Sequence, residues 1–147
     1  MAYKTIKTGS TLTINNELTI PAYKARVHMQ SGKVVLENEI DFYYPNCSVE
    51  VRTIKKVPQK ILPDVFTIKM IKTDEELTGI SGRTFARFGG QYDGSASHEN
   101  MITHFYITSN KQPDIFRLSC QHWEDPTDSR HLTVSEVNAT LGDYVTF

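Results

Sequence analysis

Asn46-Cys47-Ser48-Val49-Glu50-Val51-Arg52 alternates between two kinds of residue, and that alternation decides the fold class. Side chains project to opposite faces of a β-strand in turn, so Cys47, Val49 and Val51 are predicted on one face and Ser48, Glu50 and Arg52 on the other. Ile115-Phe116-Arg117-Leu118-Ser119-Cys120-Gln121 repeats the pattern. There Phe116, Leu118 and Cys120 share a face opposite Arg117, Ser119 and Gln121. Both thiols are thereby aimed into a core. They are either two buried free cysteines acting as small hydrophobes or a disulfide, which needs a Cβ separation of about 3.5–4.5 Å that no sequence displays. An even count with matched burial favours the bridge Cys47–Cys120.

Working outward, short strand-like runs recur between turn signals. Thr11 to Ile14 and Glu17 to Ile20 flank Asn15-Asn16, and Tyr23 to Gln30 follows. In that run Tyr23, Ala25, Val27 and Met29 face one way, while Lys24, Arg26, His28 and Gln30 face solvent. Ser31-Gly32 is a hairpin turn into Lys33 to Leu36. Ile40 to Tyr44 precedes the Cys47 strand. Residues 55 to 64 carry Pro58 and Pro63 and read as a connection. Val65 to Lys72 places Phe66, Ile68 and Met70 together, and Thr84 to Phe88, Met101 to Thr108 and Ile115 to His122 complete the strands.

One helix is well specified. Thr133-Val134-Ser135-Glu136 is a capping box, with Leu132 and Val137 placed as its hydrophobic staple. Val134, Val137 and Leu141 form the packing side, and Gly142 is placed to end the helix in the left-handed conformation. Tyr144 to Phe147 reads as a final strand. Many strands with one short C-terminal helix predict a mainly β fold, an antiparallel sandwich or barrel, in a single globular domain spanning residues 1–147.

The 147 residues include 16 basic and 17 acidic ones, for a formal net charge of −1. That balance gives no electrostatic footprint for nucleic acid. The densest basic spot, Lys55-Lys56 with Lys60, is broken by Pro58 and reads as a solvated loop. No apolar run reaches the ~18–20 residues of a transmembrane helix, and Met1 to Ile6 holds no hydrophobic signal core.

Leu18-Thr19-Ile20-Pro21, Ala25-Arg26-Val27 and Tyr44-Pro45-Asn46-Cys47, taken with the block from Phe116 through Trp123-Glu124-Asp125-Pro126 to Thr133, resemble a family of small, uncharacterised exported proteins of proteobacteria. In that family a strand ending Tyr-x-Pro-x-Cys and a later Leu-x-Cys-x-x-Trp recur with a C-terminal helix. The resemblance covers most of the chain apart from residues 73 to 100. It implies export to the periplasm or cell envelope, and with it an oxidising compartment for the thiols. It implies no activity. A cytoplasmic location is the alternative expectation.

Chemistry-bearing patterns are sparse. The stretch from Gly79 to Gly94 holds five of the eight glycines, interleaved with Arg83, Arg87 and Tyr92 and followed by His98. Arginine forks onto carboxylates or phosphates and Tyr92 offers a stacking surface, so these four residues are the candidate ligand contacts. No phosphate-loop spacing accompanies the glycines. His122, Glu124, Asp125, Asp128 and His131 offer metal-ligand types without finger or EF-hand spacing, so neither a metal nor another cofactor is expected. No serine sits in a Gly-x-Ser-x-Gly elbow and the cysteines are not spaced Cys-x-x-Cys, so no catalytic residue is assigned.

The leading expectation is an exported, non-catalytic envelope domain that works by binding or scaffolding, its partner an envelope protein or a small ligand. A β-barrel binder of a small molecule or glycan, with the Gly79–Gly94 loop as its mouth, comes second. A hydrolase or metal enzyme, third, requires at least two of His98, His104, His122 and His131 to converge with a carboxylate.

Overall fold

A computed structural model describes residues 5–78, 98–125, 127 and 130–147. Its strands are β1 (Thr11–Ile14), β2 (Leu18–Ile20), β3 (Arg26–Gln30), β4 (Lys33–Val35), β5 (Asn46–Val51), β6 (Gln59–Ile61), β7 (Asp64–Thr78), β8 (His98–Thr108), β9 (Ile115–Glu124) and β10 (Val145–Thr146). A 3-10 turn occupies Glu37–Glu39, and α1 spans Val134–Leu141. Eight strands form one curled antiparallel sheet, a half-barrel, in the order β10-β1-β7-β8-β9-β5-β3-β4. β2 and β6 make a separate ribbon that buries Leu18, Ile20 and Ile61. The chain is therefore mainly β with one short C-terminal helix, as the alternation predicts.

Rows of side chains cross the sheet on its core face. Val27, Val49, Leu118, Phe105 and Ile71 stand abreast on five successive strands. The next row runs Met29, Cys47, Cys120, Thr103. Cys47 and Cys120 lie directly opposite each other, with Cα atoms 4.0 Å apart and sulfurs at disulfide distance, 2.08 Å. Both are fully enclosed by the core.

α1 packs on this face through Val137, Thr140 and Leu141. Its start follows the sequence signal. Thr133 Oγ1 accepts from the Glu136 amide at 3.1 Å, and Glu136 Oε1 accepts from the Thr133 amide at 2.9 Å. At its end Gly142 has φ +57° but ψ −134°, so φ is positive as expected while the residue is not in the left-handed helical well. The reason is close packing: a Cβ on Gly142 would lie 2.8 Å from the Gly32 Cα in the β3–β4 turn. That turn, Ser31-Gly32, has both residues at positive φ, the form that matches the twist of a two-residue hairpin.

Strict parity fails at two β-bulges. The first lies between Ile68 and Met70. Its extra residue moves Ile71 rather than Met70 toward the core, and Met70 is exposed. The second pairs Val51 with Ile115 and Glu50 with Arg117, leaving Phe116 as the extra residue. Phe116, expected in the core, is instead half-buried under the guanidinium groups of Arg52 and Arg117, 4.6 and 5.4 Å from its ring centre.

Three further expectations are corrected. Ile40 to Tyr44 forms no strand, because the Tyr44 amide donates to the Asp41 carbonyl and closes a turn ahead of Pro45. Tyr23 sits at φ +64°, exposed, with its amide on the Lys55 carbonyl, so β3 begins only at Arg26. Within residues 55 to 64, β6 occupies Gln59–Ile61 between the two prolines. The expected strand Thr84 to Phe88 lies outside the described residues.

Candidate functional site

The face of the sheet opposite the core carries a polar ladder built by the same register. One row reads Arg26, Glu50, Arg117, Tyr106. The next reads His28, Ser48, Ser119, His104. A third is a hydrogen-bond chain in which Asn100 Nδ2 donates to Gln121 Oε1 at 2.8 Å and Gln121 Nε2 donates to Asn46 Oδ1 at 3.3 Å. Asn46, Ser48, Asn100, His104 and Ser119 are all buried, the small serines lying low between larger neighbours.

His104 links three strands. Its Nδ1 is 2.7 Å from Ser119 Oγ on β9, and its Nε2 is 3.3 Å from Asp74 Oδ2 on β7. Burial, reinforced by the Arg117 guanidinium, holds the imidazole pKa below its ordinary value, so the ring is neutral at pH 7. A neutral ring donates from one nitrogen only. Asp74 can only accept, which puts the proton on Nε2 and leaves Nδ1 to accept from the Ser119 hydroxyl. The resulting order, hydroxyl to imidazole to carboxylate, is that of an activated nucleophile. Among the described residues, the backbone amides flanking that hydroxyl are not free to stabilise an oxyanion. β9 is paired on both sides, with Ser119 opposite Ser48 and His104, so the strand amides around the hydroxyl are committed to the sheet. The relay ties β7, β8 and β9 together through their side chains.

A cleft of about 710 Å³ opens at the β3–β4 margin of this face. Its walls include Tyr23 and Ile54, Val34 on β4 and Leu36 beyond it, all four exposed apolar residues. Arg26, His28 and Glu50 supply polar wall. The Arg117 Nε donates to Glu50 Oε1 at 2.9 Å, and Arg26 Nη2 approaches Glu50 Oε2 at 3.4 Å. Burial lowers the His28 pKa, and its Nδ1 is buried with no hydrogen-bond partner among the described residues. His28 is thus half-buried and neutral rather than the solvated side chain its strand position predicts. A smaller depression of about 390 Å³ lies between Lys55, Lys60, Gln112 and Asp114.

The other residues singled out in the sequence do not come together in one group among the described residues. Arg83, Arg87, Tyr92 and the whole Gly79–Gly94 stretch lie outside the described residues, as do Pro126 and Asp128. His98 is described: its ring stacks on Trp123 at 6.0 Å, and its Nε2 is 3.0 Å from the Tyr43 hydroxyl. Phe42 covers Trp123 at 5.1 Å. The remaining histidines each take their own carboxylate, His122 with Glu124 at 3.3 Å and His131 with Glu75 at 2.8 Å. Among the described residues no group of three or more His, Cys, Asp or Glu side chains is placed to hold a metal ion.

Sequence reasoning did not find Asp74, His104 and Ser119 as a unit, nor Arg26 and the cleft around it. The available signal was the polar alternation of β3, β5 and β9, which marks a polar face without saying which residues on it become neighbours. No protein-family model, no curated protein and no solved structure matches the chain.

Proposed function

We propose that this chain is a non-catalytic binding domain of the periplasm or cell envelope, and that its ligand site is the β3–β4 cleft. The observation that carries the reading is the cleft itself. At about 710 Å³ it falls in the range of small-molecule sites, and exposed apolar side chains meet a small set of polar groups there. The cysteine pair supports the compartment, because a disulfide persists where the surroundings are oxidising. Among the described residues no helix is long and apolar enough to cross a membrane.

The site is tested by methyl-detected NMR of the disulfide-intact chain titrated with decanol, a neutral apolar probe. Shifts confined to Val34, Leu36 and Ile54 are expected, and an absence of shifts at all three overturns the reading. The compartment is tested by mass spectrometry of the protein recovered from its native cells, with and without reductant. A two-proton mass difference is expected, and two free thiols overturn the assignment to an oxidising compartment.

A further inference from the structure

We infer that the cleft takes an amphipathic carboxylate, whose headgroup is bound by Arg26 and whose alkyl part lies on Tyr23, Val34, Leu36 and Ile54; this inference rests on the cleft being the ligand site. The argument is a charge inventory of the cleft. Lys24 and Glu37 pair with each other at 3.6 Å. Glu50 is the remaining acid of the lining, and two guanidinium groups address it. Arg117 holds it through Nε and Nη2, both on Oε1, with the two side chains 19% and 14% exposed. That enclosed contact, held by charge-assisted hydrogen bonds, satisfies the carboxylate. Arg26 approaches the other oxygen only through Nη2 at 3.4 Å, and its side chain is 46% exposed.

One carboxylate between two guanidinium groups leaves one positive charge in excess, and it resides on the more exposed arginine at the cleft wall. Arg26 has five N–H donors, and among the described residues only Nη2 is engaged. A carboxylate fits that planar fork in two-point contact, whereas an alcohol lacks the charge and a quaternary ammonium is repelled. Tyr23, Val34, Leu36 and Ile54 add apolar wall open to solvent, so the occupant must also present hydrocarbon.

The test is isothermal titration and NMR on the full, disulfide-intact chain with decanoate, decanol and decyltrimethylammonium, each below its micelle concentration. Decanoate is expected to bind most tightly and to shift the Arg26 Nε–H together with the Val34 and Leu36 methyls. Arg26→Gln is expected to weaken decanoate about tenfold or more while leaving decanol unchanged. An unaltered amide spectrum away from the cleft shows that the variant is folded. Val34→Asp, on the short margin strand, is expected to abolish binding of both. Equal affinity for decanoate and decanol, or no effect of Arg26→Gln, overturns the carboxylate inference and leaves the cleft as a binding site. Failure of all three probes overturns both. Dimerisation in analytical ultracentrifugation that Val34→Asp abolishes assigns the cleft to a second copy of the chain, and also overturns the inference.

Discussion

Gly142 shows how a single position joins two distant parts of the chain. Its φ of +57° calls for glycine, and the missing side chain lets the helix end meet the β3–β4 turn. An added methyl group meets backbone rather than a movable side chain, so nothing nearby yields. Gly142→Ala is expected to lower stability by about 2 kcal/mol or more, read as a drop in the urea midpoint at unchanged slope. His28 and His104 set a second residue-level expectation. Burial is the main cause that lowers both pKa values from an ordinary 6.5. A proton therefore binds the unfolded chain first as the pH falls. The stabilisation is complete above pH 6.5 and is lost as the pH drops through the folded-state values. Urea midpoints compared at pH 7.5 and 5.0 should fall with acidification, and the double variant His28→Gln with His104→Gln should flatten that dependence.

Among the elements, α1 and the β3–β4 hairpin were legible in the sequence because their signals are local. Thr133 and Glu136 lie within one turn of each other, and Ser31-Gly32 is a dipeptide whose φ values suit one turn type. Phe116 and Met70 were misread for the converse reason. A bulge is one extra residue in a ladder, and whether it occurs depends on the partner strand, of which the local alternation carries no record. The helix cap also has its own acid window. Arg130 donates to both Glu136 oxygens, at 2.7 and 3.0 Å, and with the Thr133 amide holds the carboxyl pKa at about 2 instead of 4.5. A depressed carboxylate stabilises the fold above pH 4.5 and loses that contribution as the pH falls from 4.5 toward 2. Thr133→Ala should remove about 1 kcal/mol at neutral pH. Glu136→Gln should abolish the cap's share of the loss below pH 4.5, as followed by circular dichroism.

For the molecule as a whole, the cysteines were the long-range contact that the sequence conveyed. Parity placed them in a common core, and the register then set them opposite each other. The Asp74–His104–Ser119 relay was not legible, because it spans three strands and exists only once their mutual register is known. The same holds for Arg26 and Arg117, 91 positions apart, meeting at Glu50. The cross-link closes a sequence separation of 73 residues. Replacing both cysteines by alanine should reduce stability by about 4 kcal/mol in the chain-entropy picture, measured by denaturant titration. The far-UV spectrum should stay unchanged, since the ladder between β5 and β9 does not depend on the sulfurs.

The half-barrel also has two open margins, and strand length falls steeply toward them. β7, β8 and β9 in the middle run 15, 11 and 10 residues, whereas β4 and β10 at the ends have three and two. β4 and β10 themselves offer only a residue or two of unpaired backbone, but β1 covers β7 over Asp64–Thr67 alone while β7 runs on beside β8 to Thr78. Among the described residues the longest ladder edge without a partner strand therefore lies inside the strand order, along the distal half of β7, rather than at its two tapered ends.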